Sequence, residues 1–268
     1  MWRGNDRQTA RQEKHQRHDH HRHNARRIPK RRHRGDRAHR RTPRHRVLTL
    51  RRERKLNALS THLESVLLDA LHSQVRTSRA VVVTGVPRAF SAGADTGELR
   101  ELTPERIAEY YRSSGAVYET FAALSQPTVA ALSGYCIGGG LELALAADIR
   151  VADPDTVFGL PEVGIGILPS SGGVTRLVRE VGPARTRDLV LRGRRFGAPE
   201  AYTWGLIGEI AEGGTVREKA VEIATELAAQ PRLAVSVAKQ VITAAADAPR
   251  EAALLLEQLA YAALNRSG

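Results

Sequence analysis

Two hydrophobic rhythms alternate along the chain from Val47 onward. Val47-Leu-Thr-Leu50 is a short apolar run that predicts a strand. Lys55-Leu-Asn-Ala-Leu-Ser60 follows, and Leu63, Val66, Leu67, Ala70 and Leu71 then recur at helical spacing to about Val75. Thr61-His-Leu-Glu64 reads as a capping box at the start of that helix. Ala80-Val-Val-Val-Thr84 is the β-branched run of a strand buried on both faces, ended by Gly85. A helix is predicted from about Thr103, with Pro104 in its first turn, to Leu124. Pro127–Leu132 and Asp148–Ala152 read as strands, with a helix at Leu141–Ala147 between them. Ser170-Ser-Gly-Gly-Val-Thr-Arg-Leu177 opens another helix. Further helices are predicted at about 184–191, 198–204, 216–229, 232–247 and 249–264, interrupted by a short strand, Leu206–Ala211. No internal repeat is visible in the sequence. Strand-loop-helix units followed by a run of helices predict an α/β core with a helical C-terminal part.

Three turns crowded with glycine and alanine join these strands to these helices: 90–97, 134–142 and 158–172. In α/β folds ligands gather at the C-terminal ends of strands, where such turns lie. Gly134-Tyr-Cys-Ile-Gly-Gly-Gly-Leu-Glu-Leu143 is the most informative of them. Its glycines let the backbone approach a ligand closely and aim N–H groups at it. Glu142 sits one turn inside the helix, Glu162 is the acid of the third turn, and Asp95 lies in the first. Backbone donors beside carboxylates are the parts needed to stabilise an oxyanion and move a proton. Each acid also has a plain reading. A glutamate near a helix start is favoured by the dipole alone, and Asp95 suits a turn or helix start. Cys136 reads as a small packed residue, and the Ala/Leu stripe over 249–264 as packing, inside the subunit or between subunits.

Composition changes the picture mainly at the N-terminus. The net charge of +12 suggests nucleic acid until it is divided along the chain. Residues 1–46 hold 17 Lys+Arg against 4 Asp+Glu, whereas residues 47–268 hold 24 against 25. Eight of the ten histidines also lie in 1–46, so the body is nearly neutral and the basicity belongs to this segment. With almost no apolar content the segment is expected to be disordered. It reads as a basic arm for nucleic acid or anionic surfaces, as a solvated tail, or as an out-of-frame reading of GC-rich DNA. The body's 21 Arg against 3 Lys fits the last of these. A transit peptide ranks below them, because serine is absent from the segment and no amphipathic pattern stands out. The single cysteine excludes a disulfide framework and a cysteine-based zinc site, and fits a reducing, cytoplasmic setting. No apolar run is long enough to span a membrane, and the N-terminus lacks the apolar core of a signal peptide. Phosphate-loop, dinucleotide-fingerprint and His-Glu-x-x-His motifs are absent.

Phe90-Ser-Ala-Gly-Ala-Asp95, Gly138-Gly-Gly-Leu-Glu142 and Phe158-Gly-Leu-Pro-Glu162, in this order, resemble the signature of the crotonase superfamily, the enoyl-CoA hydratases and isomerases. Lys55-Leu-Asn-Ala-Leu59 resembles that family's N-terminal coenzyme A-binding segment, and the likeness runs from about Val47 to the C-terminus. The resemblance implies a spiral of ββα units with a helical C-terminal trimerisation region. It divides the chain into the basic segment 1–46, a crotonase-like core 47–200 and a helical region 201–268. It implies an acyl-CoA thioester whose carbonyl oxygen lies between the N–H groups of Ala94 and Gly139. Glu142 would activate water, and Glu162 would deliver a proton to the α-carbon. Lys55, Asn57, Ala58, Ala92, Asp95 and Ser170 would contact coenzyme A or substrate, with the side chain of Asp95 structural. No metal and no separate cofactor are implied, coenzyme A being part of the substrate. A homotrimer or dimer of trimers is expected, without a membrane.

Within the family both acids together favour reversible hydration of a trans-2-enoyl-CoA, because isomerases often keep only the second. Isomerisation, thioester hydrolysis and decarboxylation are the alternatives on the same fold. Nucleic-acid binding through 1–46 ranks last, because the arm lacks interleaved aromatics. Two departures from the family stand out. The arginine-rich segment occupies the place of an opening strand hairpin, which would leave the Val47–Leu50 strand with an open edge. The chain also stops at Gly268, where the family continues into a helix that helps close the acyl-CoA pocket, so weaker coenzyme A binding and trimer packing are expected. Ser170, where many hydratases have glycine, is a smaller departure.

Overall fold

The computed structural model describes residues 44–266, except for the side chains of Pro104, Ala108 and residues 111–114. The basic segment therefore lies, up to position 43, outside the described residues.

Two sheets form the frame. The larger has the strand order β1-β2-β4-β6-β9: β1 (His45–Thr49), β2 (Ala80–Thr84), β4 (Thr128–Leu132), β6 (Ile149–Ala152) and β9 (Glu209–Ile210). All of its pairings are parallel. The smaller has the order β3-β5-β7-β8: β3 (Ala89–Ser91), β5 (Tyr135–Ile137), β7 (Val157–Gly159) and β8 (Phe196–Gly197). Only its β7–β8 pairing is antiparallel. Each full unit sends one strand to the large sheet and the next to the small sheet before its helix. β2-β3 leads to α2 (Thr96–Arg100) and α3 (Pro104–Ala122), β4-β5 to α4 (Gly139–Leu145), and β6-β7 to α5 (Gly173–Leu191). The repeat thus exists in topology although none shows in the sequence. As expected, β1 is an edge strand among the described residues.

Period-two alternation divides the core. Ala80, Val82, Val129 and Ala131 face α7 (Val216–Ala229) and meet Ala220, Ala224 and Ala228 on it. Val81, Val83, Ala130 and Leu132 face the opposite way, into the larger core with Phe90, Phe121, Phe158 and Leu141. Being apolar on both faces, β2 and β4 read as continuous hydrophobic runs. Because β9 extends the large sheet and α7 lies across it, residues 209–229 belong to the body of the core. After α6 (Ala198–Thr203) and α7, α8 (Arg232–Ala245) and α9 (Arg250–Asn265) pack on each other and bury no residue fully. The Lys239 ammonium, 2.9 Å from Asp148 Oδ2, ties α8 to the start of β6.

Three readings of the sequence change. The strands β3, β5 and β7, three residues each, were expected as turns, because such short strands carry no detectable rhythm. The helix opening at Ser170 and the one at 184–191 are both present, run together as α5 across a kink at Gly182 with φ 78° and ψ 163°. The strand read at Leu206–Ala211 shrinks to β9. Finally, the capping box at Thr61–Glu64 does not form. Ser60 caps α1 (Thr61–Ser73) by accepting from Leu63 N at 3.2 Å, and Glu64 turns inward and is buried.

Asn57 shows how the first unit is joined to the small sheet. Its side chain is fully buried, accepts from Arg52 N at 2.7 Å and donates to Ala89 O at 2.8 Å and Phe90 O at 3.2 Å. Its φ of 53° is a left-handed conformation that asparagine tolerates better than most residues. Asn57→Ala removes these bonds and keeps the strained φ, so a loss of about 3 kcal/mol in unfolding free energy is expected by denaturant titration. A change within the error of that titration would contradict the assignment.

Candidate active site

The turns that end the short strands converge on one cleft. Its empty volume is about 610 Å³, and Ala92, Ala94, Gly139, Glu142, Glu162 and Ser170 are among its lining residues. A larger apolar groove adjoins it, lined by Leu99, Arg100, Ile107, Ile165, Ile167 and Leu168 with Thr96 and Ser170.

The two glutamates sit in different surroundings. Glu142 lies in α4 with 4% of its surface exposed. Its Oε1 accepts from Ser171 N at 2.8 Å and Gly173 N at 2.9 Å, both at the start of α5. A helix start offers unpaired N–H groups and the positive end of the dipole, so it suits a buried carboxylate. Burial raises the Glu142 pKa, while the Gly173 and Ser171 donors and the Arg176 charge pull it down. A Cβ built on Gly173 would lie 2.6 Å from Glu142 Cγ, so only glycine leaves room for this carboxylate. Glu162 begins the 3-10 turn Glu162–Ile165. Its Oε2 is buried without a hydrogen-bond partner. Burial, aided by the nearby Glu142 charge and opposed by its own backbone N–H, raises the Glu162 pKa from 4.5 to about 7.

Backbone donors face the same space. Leu59 and Ala94 form a parallel bridge in which Leu59 N donates to Gly93 O at 2.8 Å and Asp95 N to Leu59 O at 2.9 Å. That pattern turns the N–H of Ala94 itself away from Leu59. Gly139 is the first residue of α4, so its N–H has no partner inside the helix. A Cβ on Gly93 would fall 3.4 Å from Gly139 N, and one on Gly139 would fall 3.6 Å from Ala94 N. The two amides are therefore near neighbours.

The other residues singled out from the sequence divide. Ala92 and Ser170 line the cleft. Asp95 caps α2 by accepting from Gly97 N at 3.0 Å and pairs with Arg52 at 2.7 Å. The Arg52 hydrogen bond is the first cause of its lowered pKa. Lys55 is exposed in the 3-10 turn Glu53–Lys55, outside the cleft lining, and Ala58 O accepts from Arg52 Nη1 at 3.1 Å. Asn57 does not face the cleft, since its polar atoms are all used on neighbouring backbone. Cys136 is buried and its thiol is pushed well above the usual range by that burial, as expected of a packed residue. Sequence reasoning missed the Ser171 and Gly173 donors, although a Ser-Ser-Gly-Gly run opening a helix signals free N–H groups. It also missed Tyr118, which lines the cleft and donates to Glu64 Oε1 at 3.2 Å. Among the described residues no group of three or more His, Cys, Asp or Glu could hold a metal ion, and no helix is long and apolar enough to cross a membrane.

The sequence model described as "Enoyl-CoA hydratase/isomerase" matches residues 46–266. The chain belongs to the enoyl-CoA hydratase/isomerase family. It is 34% identical over 220 residues to the 2,3-dehydroadipyl-CoA hydratase of Escherichia coli, covering 81% of this chain and 86% of that one. It is 32% identical over 219 residues to the short-chain-enoyl-CoA hydratase of Clostridium acetobutylicum, covering 80% and 84%. The crystal structure of enoyl-CoA hydratase from Bacillus anthracis superposes with a TM-score of 0.79 at 35% identity, covering 82% of this chain and 86% of that one. Family membership carries the crotonase fold and action on acyl-CoA thioesters.

In this family member the surroundings of Glu162 yield a stability test. A carboxyl with its pKa raised from 4.5 to about 7 holds a proton across that window only when folded. Its contribution to stability is present below the lower value and is lost as pH rises through the upper one. Glu162→Gln removes that dependence. The thermal midpoint of the variant relative to wild type is expected to rise between about pH 5 and about pH 8. A difference that stays flat over this range would refute the raised value.

Proposed function

We propose that this protein adds water reversibly to the double bond of a trans-2-enoyl-CoA, giving a 3-hydroxyacyl-CoA. The observation that carries this reading is the pair of carboxylates in one cleft, one held by two backbone donors and the other with a buried, unpartnered oxygen and a raised pKa. Two acids whose environments set them apart are suited to base and acid roles.

The thioester carbonyl oxygen accepts from the N–H groups of Ala94 and Gly139. Attack of water on the β-carbon pushes electrons through the conjugated system onto that oxygen. Fixed donors stabilise the resulting enolate without reorganising, and each such donor is typically worth about 2.7–4 kcal/mol. Glu142 takes a proton from the attacking water, and Glu162 gives its proton to the α-carbon as the carbonyl re-forms. The addition leaves Glu142 protonated and Glu162 ionised, and proton exchange with solvent restores the pair. Because the two acids interact, the pH limbs belong to the pair.

The acyl chain extends from the cleft into the apolar groove beside α2 and α3, and the coenzyme A moiety leaves past Ala92 and the 55–58 segment. Exposed Leu255, Leu259 and Tyr261 on α9 support burial against other copies of the chain, as a trimer or dimer of trimers. Isomerisation needs only one proton-shuttling acid, so the second carboxylate supports hydration over it.

Hydration of crotonyl-CoA by wild type, Glu142→Ala and Glu162→Ala tests the assignment. Each variant is expected to lose about 100-fold or more in kcat. Hydration should weaken as pH rises past about 7, where Glu162 gives up its proton, and dehydration of 3-hydroxybutyryl-CoA should weaken below it. Wild-type turnover in both alanine variants would overturn the reading.

A further inference from the structure

Gly138, Gly139 and Gly140 are consecutive residues with no side chain to hold them, and glycine has the widest conformational range of any residue. The peptide plane between Gly138 and Gly139 carries one of the two donors assigned to the thioester oxygen. If that plane turned over, it would offer a carbonyl oxygen where an N–H is needed and break the 2.9 Å bond that Gly138 O accepts from Glu142 N. Each of the three glycines is also walled, most closely by one side chain or strand residue, with Leu59 Cδ1 next nearest at Gly139, 3.5 Å from its Cβ position. A Cβ on Gly138 would lie 2.8 Å from Glu162 Oε1, and one on Gly140 would lie 2.5 Å from Ser91 O. A Cβ on Gly139 would lie 3.1 Å from the hydroxyl oxygen of Tyr118.

The first two walls have other duties. Glu162 is an acid of the reaction, and Ser91 closes β3, its hydroxyl donating to Asn57 O at 2.8 Å. The third wall has no role in the proton transfers. Tyr118 comes from α3, is 2% exposed, and donates to Oε1 of Glu64 in α1, which is 4% exposed. Burying an acid and a phenol for stability alone is a poor exchange, since apolar side chains of the same size fill such space at no desolvation cost. The hydrogen bond does what an apolar pair could not: it fixes where the phenol oxygen stands, 3.1 Å from where a Gly139 Cβ would lie. Burial and the neighbouring acids Glu64 and Glu142 keep the phenol protonated, so it stays the donor of this bond.

We infer that Tyr118, held by Glu64, is a positioning residue that keeps the Gly139 N–H aimed at the thioester carbonyl oxygen. This rests on the hydration reading only in taking that oxygen as the acceptor. The pair acts through Gly139 and leaves substrate binding largely unchanged.

The test uses the full chain with Tyr118→Phe, Glu64→Leu and Glu64→Gln. With crotonyl-CoA, Tyr118→Phe is expected to lower kcat about tenfold with KM within about twofold, the scale of a donor misplaced by a fraction of an ångström. Glu64→Leu should match it, because the anchor of the phenol is gone. Glu64→Gln should recover most of the loss, because its amide oxygen still accepts the phenol proton. The infrared stretch of the carbonyl in bound butyryl-CoA, which has no double bond to hydrate, gives a second readout. Polarisation by the donor pair lowers its frequency in wild type, and Tyr118→Phe and Glu64→Leu should lose part of that shift. If wild type shifts the carbonyl but does not hydrate crotonyl-CoA, the hydration reading falls and the carbonyl shift alone decides this inference. If Tyr118→Phe keeps the wild-type kcat and carbonyl shift and lowers only the melting temperature, the pair is structural and the inference is overturned. Absence of a shift in wild type overturns this inference, and crotonyl-CoA turnover alone then decides the hydration reading.

Discussion

Burying Glu142 without a paired cation is the constraint on which the site depends. A carboxylate taken out of water is costly unless donors replace the solvent. Here Ser171 N and Gly173 N replace it, at 2.8 and 2.9 Å on the same oxygen. Both belong to the start of α5, whose N-cap Gly172 has a φ of 90°. The arrangement therefore requires glycine twice in succession, at Gly172 for its backbone angle and at Gly173 for the space. It also joins two ββα units, since Glu142 is carried by the second and its donors by the third. Arg176, one turn into α5, donates to Ser171 O at 2.9 Å and steadies the loop that holds the carboxylate.

The difference between the two acids follows from this. Glu142 has donors that partly offset its burial, whereas Glu162 has a buried oxygen with none. Although Glu142 is the more deeply buried, its donors limit its shift, whereas burial moves Glu162 to about 7. The Arg176 charge adds to the effect of the donors on Glu142 and has no counterpart at Glu162. The asymmetry comes from one helix start that faces Glu142 and not Glu162.

The large sheet was legible because its central strands are buried on both faces, which makes Ala80–Thr84 and Thr128–Leu132 unbroken apolar runs. Helices α1, α3, α7 and α9 were legible from spacing. The small sheet was not, because Ala89–Ser91 or Val157–Gly159 is too short to show a rhythm and is fixed only by its neighbours. For the site, the glycine runs and the two glutamates stood out, and the cleft does bring Glu142, Glu162, Ala94 and Gly139 together. Asn57 and Glu64 did not yield their places to sequence reasoning, for related reasons. Asn57 was expected at coenzyme A or substrate and Glu64 in a cap, and only tertiary packing shows that both side chains are buried. Asn57 proved to be a backbone brace, and Glu64 an inward-facing partner of Tyr118.

Most of the chemistry-bearing groups in this cleft are backbone amides. No substitution removes an amide N–H except one to proline, so sequence change can spoil such a donor mainly by crowding or turning it. That is why the informative positions are glycines and the residues that wall them. A Cβ would meet Glu162 at Gly138, Tyr118 at Gly139, Ser91 at Gly140 and Glu142 at Gly173. The groove beside α2 and α3 is under no such demand. Leu99, Ile107, Ile165 and Leu168 line it without hydrogen-bonding duties, so its shape can vary while the donors stay in place. Under the proposed function, the fold thereby separates what fixes the reaction, which is backbone geometry walled by packed side chains, from what selects the acyl chain, which is replaceable apolar surface.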